Sequence, residues 1–269
     1  MSSEMIKERS ARICQFMNLK GKRLLEVGCG NGDVVRHIAS FYQPEHICGV
    51  DNDLFRSLKE EKGSNWNIKN GNAEHLEFDD NSFDGVISLF VFEHIGDIVK
   101  SLSEIKRVLK PFGKFYAVIG GIWTSVTGHH YGGKDPFSWH KHLIELIPPW
   151  GHLYMNECEM KNHLMKINVN EKLSEDILHH IYRSNLINRL SRSEYLTAFY
   201  NVGMIIRNYQ EYVAFNRFGA TGTIENNMPN ESDLTPDIID SIKNANYNIN
   251  DIGVTEMRIV FEKYASVQC

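Results

Sequence analysis

The stretch Leu25-Glu26-Val27-Gly28-Cys29-Gly30-Asn31-Gly32-Asp33 decides the fold. Arg23 to Val27 is a compact apolar run, which predicts a buried strand. Gly28 to Gly32 predicts a tight turn, and DVVRHIASF from Asp33 to Phe41 places Val34, Val35, Ile38 and Phe41 at helical spacing. Strand, glycine turn and helix in succession aim the helix N–H groups over the turn, where bare backbone lets another molecule approach closely. The glycines fall at every second position, a departure from the Gly-x-Gly-x-x-Gly spacing that serves a pyrophosphate. Such spacing suits a neutral or cationic ligand packed edge-on.

Upstream, Ser10 to Met17 predicts a short helix broken by Lys20-Gly21-Lys22. Downstream, Ile47 to Asp51 predicts a second strand ending in an acid, Leu54 to Glu61 a helix, and Trp66 to Lys69 a weak third strand. Gly85 to Phe90 is a fourth strand, Ile98 to Leu109 an amphipathic helix ended by Pro111, and Phe112 to Ile119 a fifth strand. Wholly apolar strands alternating with helices predict an α/β fold with a parallel sheet covered on both faces. Gly120 to Asn170 breaks the pattern with Gly, Pro, His and Trp, and reads as an inserted lid. Beyond it, Leu173, Ile177, Leu178 and Ile181 mark one helix, and the stretch from about Ser193 to Tyr200 predicts another. Met204 to Tyr209 predicts a strand, Pro236 to Ile242 a helix, and Val254 to Tyr264 a last strand, read as antiparallel.

Composition narrows the function classes. The 269 residues are 42% apolar and 23% charged, enough for a well-buried core, and the net charge of -5 provides no basic field for nucleic acid or anionic membrane. Five scattered cysteines form no Cys-x-x-Cys pair, which argues against a disulfide scaffold and a zinc ribbon and fits a reducing cytoplasm. The start, MSSEMIKERSARICQF, is read as neither a leader peptide nor a membrane anchor.

Asp51 stands about 20 residues past the glycine turn, where a carboxylate at a strand end can take both hydroxyls of a ribose. Asn70-Gly71-Asn72-Ala73-Glu74 follows the third strand, where an Asn amide and backbone N–H can read a purine edge. The series LEVGCGNGD, GVDND, NGNAEHLEFDDNSFDGVISLFVFEHI and VLKPFGKFY resembles, in order and spacing, the signatures of the class I S-adenosylmethionine-dependent methyltransferases. The resemblance covers Gly21 to about Ile119. It implies a Rossmann-like sheet of seven strands, mostly parallel with the last antiparallel, and S-adenosyl-L-methionine as cofactor with S-adenosyl-L-homocysteine as product. It further implies that Gly28, Gly30 and Gly32 line the methionine and ribose portions, with Glu26 bracing the loop. Asp51 would bind the ribose hydroxyls, Asn52 would lie beside the adenine, and Asn72 with Ala73 would address its amino edge. Many members carry Asp where this chain has Asn72, whose amide oxygen still accepts that hydrogen bond. Phe90 and Phe92 are candidates to wall the sulfonium, and His94 either braces the loop or takes a proton.

A single domain, 1–269, is therefore expected, with a cofactor-binding core at 1–119, an acceptor-binding lid at 120–190 and a stretch at 191–269 completing the sheet. The lid holds His129, His130, Tyr131, Asp135, His140, His142 and His152 among Trp139 and Trp150, the composition of a pocket for a small polar molecule. His129, His130 and His152 are candidate general bases. This segment is similar to lids of methyltransferases encoded with bacterial surface-carbohydrate pathways. His140 and His142 lack the i, i+4 spacing of a two-histidine zinc face, and no metal is assigned. The leading expectation is O-methylation of a small polar metabolite, sugar or sugar-derived. N-methylation of an amino sugar or small amine is the close alternative. A nucleotide-dependent oxidoreductase is opposed by the glycine spacing, a nucleic-acid methyltransferase by the missing Asn-Pro-Pro-Tyr or Asp-Pro-Pro-Tyr, and a non-catalytic cofactor-binding partner by the histidine-rich lid.

Overall fold

The computed structural model describes residues 2–52, 59–132, 141–213 and 235–264. The expected Asp135, Trp139 and His140, and the side chain of His142, lie outside them.

In chain order the elements are α1 (Ser3–Phe16), β1 (Arg23–Val27), α2 (Asp33–Phe41), β2 (His46–Asp51), β3 (Glu61–Lys62) and β4 (Trp66–Asn70). Next come β5 (Phe83–Leu89), α3 (Ile98–Val108), β6 (Leu109–Gly120), α4 (Lys141–Ile144), α5 (Gly151–Tyr154), α6 (Glu157–Lys166) and α7 (Glu171–Leu178). A π-helical turn, His179–Arg183, extends α7, and α8 (Arg192–Val202), β7 (Ile205–Val213), α9 (Pro236–Asn244) and β8 (Val254–Glu262) complete the chain. Among the described residues no helix is long and apolar enough to cross a membrane.

The sheet has eight strands in the order β3-β4-β2-β1-β5-β6-β8-β7. The pairs β1·β2, β1·β5, β2·β4 and β5·β6 are parallel. The expected seven strands become eight because Glu61–Lys62 forms a short antiparallel edge on β4. That part of the chain was expected to be the end of a helix from Leu54, most of which lies outside the described residues. Phe112 N–H donates to the carbonyl of Lys263, and Lys263 N–H to that of Gly113, at 2.7 and 3.0 Å. The start of β6 thus meets the end of β8, as strands running in opposite directions require.

The chain forms two compact units: Met1–Ile119 with Leu196–Gln210 and Met257–Cys269, and Gly120–Tyr195 with Glu211–Glu256. The first unit's core joins Ile13 of α1 and Val35 and Ile38 of α2 to Leu24, Ile47, Ile87 and Tyr116 on the sheet. α1 begins well before the expected Ser10 because the Ser2 hydroxyl caps it, accepting from Met5 N–H. Phe92, Phe115, Phe199 and Phe261 stack in the same unit, with Phe199 and Phe261 centroids 4.3 Å apart. The second unit buries Trp123, Trp150, Met160, Leu164, Ile177 and Ile252 together. Its α6 lies in a stretch expected to be irregular. The cause is a capping box: Asn156 accepts from Glu159 N–H at 3.0 Å and the Glu159 carboxylate accepts from Asn156 N–H at 2.8 Å.

Candidate functional site

β1 pairs with β2 on one side and β5 on the other, so chain connections leave in opposite directions from this point of the sheet. Crevices in such sheets open at the carboxyl ends of the strands flanking this switch. Gly28 to Gly32, Asp51, Asn72 and the segment after β5 all sit at those ends.

The three glycines of the turn all have positive φ, yet they serve different ends. A Cβ on Gly32 would overlap the Ile68 side chain, and one on Gly28 would overlap Val91, so these two are set by packing. A Cβ on Gly30 would meet nothing within 4 Å. The backbone at Gly30 therefore faces open space between two tightly packed neighbours. The turn is tied to β2 by Gly28 and Cys29 N–H groups, which donate to the Val50 carbonyl at 2.8 and 3.1 Å. Gly30 N–H donates to Asp51 Oδ2 at 2.6 Å, a short charge-assisted bond that fixes the carboxylate beside the bare backbone.

Glu26 lies beneath this turn, 3% exposed. Burial pushes its carboxyl up to about 8, the negative charges of Asp51 and Asp33 adding to the shift while Arg9 and the Val35 backbone oppose it. Among the described residues its Oε2 has no hydrogen-bond partner. A buried carboxyl next to an open, glycine-lined surface, with a second carboxylate at its rim, is a donor set suited to a cationic nucleoside. The cradle thus fits the cofactor implied by the sequence. Cys29, by contrast, is a buried thiol whose ionisation is strongly suppressed by burial, and is no nucleophile.

Around the cradle, Asn72 Oδ1 accepts from Glu74 N–H at 2.9 Å, closing a local turn, and Gly71 N–H donates to the Asp51 carbonyl at 2.9 Å. The Asn72 oxygen retains a second lone pair for a ligand donor. Asn52 is exposed and Ala73 half-buried. After β5, Phe90 takes φ 59° and lies under the Arg9 guanidinium, 4.7 Å from its ring centroid. Phe92 corrects the sequence reading: it is 0% exposed and its ring packs on Phe115 and Phe199, so it belongs to the core and cannot wall an open site. Strand alternation, which put Phe90 and Phe92 on one face, ends at Leu89, and the 3-10 turn Phe92–His94 turns the second ring inward. His94 is half-buried on this turn. Val91 and Arg9 were missed in sequence. Val91 sits against Gly28 with no motif to mark it, and Arg9 lies on a helix far from the glycine turn in sequence.

In the second unit, His129 and His152 stand edge to face at 5.3 Å, and His152 packs edge-on to Trp123 at 4.6 Å. His152 is 4% exposed, its Nε2 hydrogen-bonded to the Trp123 carbonyl at 2.7 Å. His129 Nδ1 accepts from Tyr131 N–H at 3.0 Å, and the His129 carbonyl is bonded by His180 Nε2 at 2.7 Å. His130 takes φ 52° and its Nε2 bonds the Gly121 carbonyl at 2.9 Å. The three candidate bases therefore each hold backbone. Among the described residues no group of three or more His, Cys, Asp or Glu is placed to hold a metal ion.

Burial lowers the His152 imidazole to about 4, the bond to Trp123 opposing the shift. The folded state thus binds its proton more weakly than the unfolded chain does. Stability is fully present above the ordinary histidine value and is lost as pH falls through 6.5 toward about 4, by a few kcal/mol. Urea unfolding from pH 7 to 4 is expected to show this loss, and His152→Gln to flatten it. An unchanged pH slope in the variant would sink the assignment.

Residues 25–117 match a family described as Methyltransferase domain. An uncharacterised methyltransferase of Bacillus subtilis, YcgJ, is 29% identical over 165 residues, 58% of this chain and 58% of that protein. Demethylmenaquinone methyltransferase of Staphylococcus aureus is 34% identical over 119 residues, 42% of this chain and 49% of that protein. The chain thus spans between about half and three fifths of these relatives' lengths. An S-adenosylmethionine-dependent methyltransferase of Mesorhizobium loti superposes with TM-score 0.53 at 13% identity, covering 95% of this chain and 97% of that one. The fold is the Rossmann-like α/β fold that this structure shares, and the segment 25–117 is similar to the methyltransferase-domain family.

Proposed function

We propose that the whole chain is an S-adenosylmethionine-dependent methyltransferase acting on a hydroxyl of a small polar metabolite, sugar or sugar-derived. The observation that carries the cofactor half of this reading is the open backbone at Gly30, flanked by the Asp51 carboxylate at 2.6 Å and the buried Glu26 carboxyl. Asp51 would hold the ribose hydroxyls, Gly28, Gly30 and Gly32 the methionine and ribose portions, Asn52 the side of the adenine, and Asn72 with Ala73 its amino edge. When bound, the cofactor supplies an activated methyl on a sulfonium, transferred by in-line displacement. Alignment and exclusion of water are the main demands on the protein, and positioning alone supplies up to roughly 7 to 11 kcal/mol in ideal cases.

The division of labour follows the sequence reading: 1–119 seats the cofactor, 120–190 selects the acceptor, and 191–269 completes the sheet. The aromatic and histidine content of 120–190 supports a polar metabolite as acceptor. Of the candidate bases, His94 is the half-buried one on the cofactor unit, whereas His152 is neutral and tied to Trp123. That burial favours a second reading, N-methylation of an amino sugar or small amine, because a neutral amine carries its own attacking lone pair and needs less from a base. The test is a screen of sugar and amino-sugar acceptors with methyl-labelled cofactor. Saturable label transfer to a hydroxyl supports the first reading and transfer to nitrogen the second. Cofactor binding with transfer to neither class would overturn both.

A further inference from the structure

Among the described residues the crossover from β4 to β5, 71–82, carries no helix. Ile47 and Ile68 pack in the core with Val35 and Ile38 of α2, so the opposite face of β2 and β4 carries His46, Cys48, Asn67 and Lys69. A cavity of about 560 Å³ opens over that face, with Leu76 and Phe83 also in its lining. Arg23, His46 and Phe83 begin β1, β2 and β5, so the cavity lies toward the strand ends opposite the glycine turn.

The segment after β4 forms a rigid wall to this cavity. Glu104 accepts from Leu76 N–H at 2.8 Å, and Arg107 donates to the carbonyls of Leu76 and Phe78, each at 2.7 Å. The Phe78 ring stands edge-on to Phe83 at 4.9 Å. Sites for small molecules are of this kind, largely preformed, with apolar walls and a few polar groups that fix orientation.

Some of the polar groups are engaged and others are not. His46 Nε2 is bonded to Asn67 Oδ1 at 2.7 Å, and the Arg23 guanidinium to Glu45 at 3.3 Å. Lys69 is half-buried, its ammonium 4.3 Å from the Phe78 ring centroid, and no carboxylate of a described residue lies within 4.0 Å of it. Glu77 and Asp79 also line the cavity, are exposed, and meet no cation of a described residue within 4.0 Å. An ammonium only donates hydrogen bonds and a carboxylate only accepts them. One ligand that satisfies both therefore carries a carboxylate and an ammonium group itself. Leu76 and Phe83 offer a hydrocarbon side chain apolar surface beside those charges.

We propose that this cavity binds a free α-amino acid with an apolar side chain, its carboxylate on Lys69 and its ammonium on Glu77 and Asp79. The site shares no residue with the cofactor cradle and rests on no part of the methyl-transfer reading.

Titration of the full chain with L-leucine, followed by calorimetry and by backbone amide resonances, is expected to saturate with Kd of about 1 mM or tighter. The resonances of Asn67, Lys69 and Leu76 are expected to shift. 4-Methylpentanoate and 3-methylbutylamine each lack one of the two charges, and each is expected to bind about tenfold more weakly. Lys69→Met, which keeps packing on Phe78, is expected to weaken L-leucine about tenfold and to leave the amine unchanged. Glu77→Gln with Asp79→Asn is expected to weaken L-leucine and to leave 4-methylpentanoate unchanged. The two analogues test the same charges on the unaltered protein, whatever the variants do to folding. No saturable uptake of L-leucine up to about 20 mM, an analogue bound as tightly as L-leucine, or amide shifts confined to other strands would each overturn the proposal.

Discussion

Replacing Asp51 with alanine is expected to weaken binding of S-adenosylhomocysteine by roughly 100-fold or more, measured by titration calorimetry at neutral pH. The expected size follows from removing two charge-assisted hydrogen bonds to a ribose, each worth about 1.5 to 3 kcal/mol. The carboxylate also accepts from Gly30 N–H at 2.6 Å, so its loss frees the very backbone that a ligand would lie against. Asp51→Asn keeps an acceptor for Gly30 while removing the charge, and is expected to fall between parent and alanine. The two variants separate seat geometry from ribose binding. If Asp51→Ala binds as tightly as the parent, the ribose assignment fails, whatever the fold.

How much of this site was legible in the sequence depends on what each residue is asked to do. Gly28 to Gly32 and Asp51 were legible because a glycine turn between an apolar strand and an amphipathic helix has few other structural solutions. The strands β1, β2, β5 and β6 were legible because they are largely apolar runs buried on both faces, whereas the short polar edge strand β3 carries no such run. Phe92 was misread because alternation says which residues share a face only while the strand lasts, and the strand stops at Leu89. Val91, between the two phenylalanines, took the place against Gly28. Asn156 and Glu159 form a visible helix-start signature, overlooked among the prolines and tryptophans before them. The hydrogen bonds that bind His129, His130 and His152 to backbone were not legible at all. Their partners, Tyr131, Gly121 and Trp123, are set by how the second unit folds, which no spacing rule encodes.

Glu26 gives the other large expected effect, one that turns on pH. Its carboxyl is pushed up to about 8 in the folded protein, first by burial and then by Asp51 and Asp33. The folded state therefore holds this proton more tightly than the unfolded chain. The contribution is fully present below the ordinary carboxyl value near 4.5, and it is lost as pH rises through about 8. Across that window the parent is expected to lose on the order of several kcal/mol that Glu26→Gln, neutral at every pH, retains. Urea unfolding from pH 5 to 9 measures the difference. A cationic ligand in the cradle favours the ionised carboxyl, so its uptake at pH 7 is expected to release a proton, seen as a dependence of calorimetric heat on buffer ionisation enthalpy. Glu26→Gln is expected to abolish that release and to bind the sulfonium cofactor more weakly, relative to S-adenosylhomocysteine, than the parent does. Parallel pH profiles for parent and variant would mean that Glu26 is ionised in the free protein, and that the cradle is not tuned by a buried carboxyl.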